Sequence, residues 1–169
     1  STGSRAIYDA ATGALVRAAG NDAIGVGTTT GIPAEDINGV TRLRGTYVDP
    51  GAFSLDLLEI GRTIDAAGGG DYTSFTQAEA DVTALPTSTD LLLFNEAIVF
   101  EAVSGTYTTT LNANSSLITD STRNVTYRPA AGSEHGGQAG AGVIIDTGAS
   151  NIPVLISDDF VVVDGLNLT

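Results

Sequence analysis

The stretch "AAGGGDYTSFTQAEADVTALP", Ala66 to Pro86, decides how this chain is read. Three glycines lead into Asp71 and Tyr72, and a polar-apolar segment then runs to a closing proline. Ser74 stands three residues before Gln77, the spacing of a capping box. Phe75, Ala78, Val82 and Leu85 recur at steps of three and four, one face of a helix, and Pro86 ends it. The spacing predicts a helix from Ser74 to about Leu85, apolar on one side, with the glycines as a hinge before it. A phosphate-cradling loop is the competing reading. It needs a Gly-Lys-Ser/Thr run, and the chain has no lysine. The helix therefore reads as a cover, with Phe75, Val82 and Leu85 turned toward an apolar surface.

That surface is expected downstream. After Pro86 the pattern changes to short β-branched runs bounded by Gly, Asn, Asp or Ser: "LLLF" (91–94), "AIVFEAV" (97–103), "TYTTTL" (106–111), "SLIT" (116–119), "NVTYRP" (124–129), "GVIID" (142–146), "PVLIS" (153–157), "FVVVDG" (160–165) and "LNLT" (166–169). No helical pattern separates them, which excludes an alternating α/β sheet. An all-β sandwich, a barrel or a solenoid of strands remains, without the strict repeat of a hexapeptide solenoid. Upstream, residues 1 to about 64 differ. They hold small apolar pieces, a hairpin signal around residues 11–13, a helical turn from Pro33 to Ile37 and a turn at Asp49-Pro50-Gly51, but no core pattern. Segments of this kind gain order by lying against something else.

Twenty acidic residues against seven basic ones, all arginine, give a formal charge of -13. Such a chain repels phosphate backbones, so nucleic acid is not an expected partner. No cysteine is present for a disulfide or a thiolate metal site. No apolar run reaches the ~20 residues of a membrane span, so no membrane insertion is expected.

Four segments carry a resemblance. "GGGDYTSFTQAEADV", "NVTYRPAAGSEHGG", "GVIID" and "SDDFVVVDGLNLT" resemble, in that order, the opening of right-handed parallel β-helix proteins of the pectin-lyase-like class. In that class a similar glycine-led segment enters a short helix that caps the first coil. The resemblance covers residues 64–169 and implies an all-β, right-handed parallel β-helix with an N-terminal capping helix, preceded by an extended attachment segment. Modules of this class occur in polysaccharide lyases and hydrolases, in surface adhesins, and in bacteriophage tailspikes, fibres and other virion appendages. An uncapped strand pattern at residues 160–169 adds the expectation that a further coil or another chain covers that end.

The residues that could carry chemistry are few. Lyases of the resembling class hold calcium on clustered aspartates and use an arginine as base; the candidates here are Asp146, Asp158, Asp159 and Asp164 with Arg123 and Arg128. Asp158-Asp159 and Asp164-Gly165 read as turns first. His135 is the single histidine, inside "GSEHGGQAGAG", with no second histidine or cysteine to share a metal. It reads as a loop-ordering residue. No catalytic residue, metal site or cofactor is expected within these residues.

The resulting expectation has two parts: an attachment segment over 1–64, and a capping helix with the first β-helix coils over 65–169. Its function would be structural or adhesive, in a bacteriophage tail fibre, tailspike or head fibre located on the virion. Residues 1–64 would meet other virion proteins, the shaft would form a homo-oligomer, and a host-surface glycan is the candidate external ligand. A trimer is what the resemblance implies. The alternatives are a secreted polysaccharide lyase or hydrolase and a bacterial surface adhesin.

Overall fold

The computed structural model describes residues 57–148 and 152–169, together with Glu35 and two short strands, β1 (Leu43–Arg44) and β2 (Tyr47–Val48). β1 and β2 pair antiparallel. The hairpin expected around residues 11–13 and the turn at 49–51 lie outside the described residues, as does, Glu35 apart, the helical turn expected over 33–37.

The rest is mostly β. The strands are β3 (Leu58–Ile64), β4 (Glu96–Ala102), β5 (Gly105–Tyr107), β6 (Leu111–Ala113), β7 (Val125–Pro129), β8 (Val143–Ile145), β9 (Val154–Ile156), β10 (Val161–Val163) and β11 (Asn167–Leu168). Every pairing among them is parallel. One sheet runs β10-β7-β4-β3, a second β11-β8-β5, and a third joins β6 to β9. The order along the chain matches the order of pairing. β4, β5 and β6 are followed by β7, β8 and β9, each beside its counterpart, and then by β10 and β11 beside β7 and β8. Parallel neighbours need long connections, and the irregular segments between sets supply them.

Alternation in these short strands sends one side chain in and the next out. Leu111 and Ala113 are buried around exposed Asn112, and Val125 and Tyr127 are buried around half-buried Thr126. The inward residues form one apolar core that includes Ile64, Ile98, Phe100, Tyr107, Leu111, Tyr127, Val143 and Ile145. Phe100 and Tyr127 are register partners on β4 and β7, and their rings stack with centroids 5.1 Å apart. β4 is buried on nearly every residue and lies between β3 and β7, with the helical turn Leu91–Phe94 packed against it.

Helix α1 (Phe75–Asp81) continues into a 3-10 turn, Val82–Ala84, and packs against β6. Phe75, Ala78 and Val82 are buried, whereas Leu85 is half-buried at the margin of the core. The glycines before the helix make an ordered turn rather than a hinge. Asp65 accepts from the backbone N–H groups of Ala67 and Gly69, and Asp71 accepts from Thr63. At Gly70 a Cβ would stand 2.7 Å from the Thr63 carbonyl oxygen, so the close return of the chain requires glycine.

Three expectations change. "LLLF" is not a strand but a helical turn, α2 (Leu91–Phe94). Asp90 caps it by accepting from Leu92 N–H, and Asn95 closes it in the left-handed region at φ 53°. "TYTTTL" divides into β5 and β6, and "SLIT" contributes only an isolated bridge between Asp90 and Ile118. The break expected at residue 64 falls at the end of a strand that already belongs to the parallel sheet. β3 matches β4 at seven consecutive positions, Leu58 to Glu96 through Ile64 to Ala102. The alternating "LEIGRTI" carries no local sign of this pairing, because its partner lies beyond the whole helical segment.

Candidate functional site

The cap is built from a few local bonds. Ser74 is the N-cap, and its hydroxyl accepts from Gln77 N–H at 3.3 Å. Gln77 reaches back one residue further than a capping box requires: its Oε1 accepts from Thr73 N–H at 2.8 Å and from the Thr73 hydroxyl at 2.7 Å. Phe75 then projects inward, edge-on to Tyr107 at 5.0 Å and tilted against Tyr127 at 6.2 Å. The Tyr107 hydroxyl lies within hydrogen-bond distance of the carbonyls of Val103 (2.8 Å) and Ile64 (3.0 Å), joining β5 to the end of β3.

The acidic candidates do not converge. Asp158, in the turn between β9 and β10, accepts from Ser115 N–H, from the Ser115 hydroxyl at 2.7 Å and from Ser116 N–H at 3.4 Å. It fastens the loop after β6 to the loop after β9. Asp159 is exposed, and its carbonyl accepts from the Thr119 hydroxyl. Asp146 is exposed and accepts from Gly148 N–H, the self-bonded turn of an aspartate. Asp164 is exposed beyond β10 and borders an open groove with Glu101, Arg128 and Glu134. Among the described residues, no three histidine, cysteine or acidic side chains gather where they could hold a metal ion.

The arginines are committed elsewhere. Arg128 pairs with Glu101 at 2.8 Å on the exposed face of β4 and β7. Arg123 pairs with Asp120 at 2.6 Å and donates from Nε to Asn95 at 2.7 Å. Burial pushes the Asp120 carboxyl up, but backbone N–H donors of Arg123 and Thr122 and the Arg123 guanidinium together hold it below the usual carboxylate range.

His135 is half-buried in the loop between β7 and β8. Its Nδ1 accepts from Gly137 N–H at 3.0 Å and its carbonyl from Gln138 N–H at 2.9 Å. Gly142, at φ +77°, passes so close that a Cβ there would meet His135 N at 2.6 Å. Ser133, buried in the same loop, accepts from Ser104 N–H at 3.0 Å and ties the loop to the turn after β4.

Two residues with charge potential were missed by sequence reading. Glu96 opens β4 at 1% exposure, and its carboxylate accepts from Thr87 N–H (2.8 Å) and the Thr87 hydroxyl (2.6 Å). Glu79 sits on α1, half-buried, with Oε1 shielded from solvent and without a hydrogen-bond partner. Burial and the nearby Asp158 push its carboxyl up to about 7, against a backbone hydrogen bond from Asn114. A signal for Glu79 was present. On a helix whose inward residues are Phe75, Ala78 and Val82, position 79 lies four after the first and belongs to the same face. Among the described residues, no helix is long and apolar enough to cross a membrane. No protein-family model, no curated protein and no solved structure matches this chain.

Proposed function

We propose that the chain is a structural, adhesive part of a bacteriophage appendage, the root of a right-handed parallel β-helix resembling the pectin-lyase-like class, which exposes its shaft on the virion. The observation that carries this reading is the pairing order. Successive sets β4-β5-β6, β7-β8-β9 and β10-β11 pair in parallel, and α1, which precedes them in the chain, packs against β6. A stack of this kind is a rod by construction, because each set repeats the cross-section beneath it. A rod needs an anchor, and the segment before β3, whose sequence carries no core pattern, is the candidate for that role, meeting other virion proteins. The edge strands at the other face expose Leu155, Ile156, Val162 and Leu168. Covering them by closed rotational symmetry gives a homo-oligomer, and the resemblance favours a trimer.

The acidic residues support a structural role over a lyase role. Among the described residues, Asp158 and Asp146 are engaged in ordering turns, and Arg123 and Arg128 in ion pairs. Immunogold labelling of purified particles with antibodies against this chain tests the proposal. Label at the ends or sides of virion appendages is the expected result. Label on the cell envelope, or recovery as a free secreted protein that cleaves polysaccharide, overturns it in favour of an adhesin or an enzyme.

A further inference from the structure

We propose that Glu79, on the inward face of the cap helix α1, is a protonation-dependent latch that holds α1 against β6 and weakens as pH rises. The geometry begins with Glu79 on the inward face of α1, which is packed against β6. Its Oε1 is cut off from water and finds no donor. An ionised carboxylate there has the Asn114 N–H as a donor but leaves Oε1 without the partner that burial demands. The charged group facing it is Asp158, whose carboxylate is fixed in place by Ser115 and Ser116 and cannot swing away without breaking those bonds.

Among the described residues, no positive charge is placed to relieve Glu79 and Asp158. β6 itself contributes Leu111, Asn112 and Ala113, and the 3-10 turn after α1 contributes Val82, Thr83 and Ala84, none of them ionisable at neutral pH. The loop from 114 to 116 supplies Asn114 N–H and two serines. Tyr107 and Tyr127 meet α1 through Phe75. On α1, Asp81 is exposed and acts on Tyr72; in the β9–β10 turn, Asp159 is exposed beside Asp158. Arg62 donates to Gly61 and acts on Tyr72, while Arg123 and Arg128 hold Asp120 and Glu101. Among the described residues the two carboxylates thus act on each other with no cation to offset them, and a single proton on Glu79 removes the repulsion.

The sign follows from linkage. With the cap closed, Glu79 titrates at about 7; released into water it returns toward its ordinary value of 4.5. The closed cap therefore binds the proton more tightly. Below the lower value both states are protonated and the latch is fully set. Between the two values the open state ionises first and closure weakens with rising pH, and above the upper value the loss is complete.

The test is amide hydrogen exchange of the whole chain between pH 4.5 and 8.5, corrected for intrinsic exchange chemistry, combined with carbon NMR of the Glu79 carboxyl. The expected result is a Glu79 midpoint near 7, with α1 protection falling by up to about tenfold per pH unit below that midpoint, the limit set by one proton, and level above it. Glu79→Gln keeps the side chain's shape and removes the proton, so its α1 protection stays flat with pH. His135→Gln, which removes the single imidazole from the profile, keeps the wild-type slope. A Glu79 midpoint between 4 and 5, or a pH slope that survives in Glu79→Gln, overturns the proposal. If calcium at pH 8 restores α1 protection in the wild type but not in Glu79→Gln, the pair is a cation site and the proton latch is likewise overturned.

Discussion

At the scale of single residues, the strongest dependence is on Phe75. It has no exposed surface, and it touches aromatic rings from two strands that are not neighbours in sequence. Phe75→Ala should lower stability by about 3–5 kcal/mol, read by urea unfolding, because the cap and the stack would face an unfilled cavity. A second dependence separates backbone conformation from space. Gly142 and Gly148 have nearly the same φ, +77° and +78°, but a Cβ meets His135 N at 2.6 Å in the first and open space in the second. Gly148→Ala should cost about 1–2 kcal/mol, the strain of a left-handed alanine. Gly142→Ala should cost clearly more, since the loop must also move. Equal losses in the two variants would show that the loop from 130 to 142 yields freely. Asp120 sets the acid limit: its carboxyl is held low in the fold, so the stability it contributes is present at neutral pH and lost as pH falls through its folded-state value. Asp120→Asn should flatten the acid limb of a thermal-unfolding profile.

Among the elements, α1 shows how far the sequence could be read. Its start was legible because Ser74, Gln77 and the apolar steps of three and four obey local rules, and local rules act within one turn of chain. Its end was less so: the regular helix stops at Asp81 and the 3-10 turn carries Val82 into the core while leaving Leu85 at the margin. "LLLF" was misread for a related reason. Four apolar residues suit a strand or a helix equally, and the deciding bonds come from Asp90 and Asn95 on either side. β3 was missed because its partner is β4, beyond the whole cap segment. Of the acidic candidates, Asp158 reads in sequence as a turn residue; its hydrogen-bond partners Ser115 and Ser116 come from another pass of the chain and leave no local spacing to detect. Ser74→Ala should reduce stability by about 1 kcal/mol in thermal or urea unfolding. Asp158→Ala should also destabilise the fold, since it leaves Ser115 N–H without its acceptor.

For the molecule as a whole, the proposed function and assembly are tested on the same surfaces. Incubation with acidic or neutral polysaccharides, with or without calcium, should release no product; steady release abolished by Asp158→Ala or Asp159→Ala would place chemistry on the turn after β9. Light scattering of the native protein should give a multiple of the 17.1 kDa chain mass, three chains on the favoured reading. A stable monomer would remove the argument from exposed edge strands. The pairing pattern has one more consequence, for how the protein is made. Val99 lies beside Thr126, 27 positions later, and Thr126 beside Val162, 36 later. At a ribosomal pace of roughly 5–20 residues per second, successive partners emerge about 1–7 s apart. β4 and β7 to β11 can therefore each dock on a strand finished before it, whereas α1 finds its seat only once β6 has been made. For these strands birth order and building order coincide, so a pause in translation between β7 and β8 should leave a nascent chain with β7 protected from protease and the slot beside β5 still vacant.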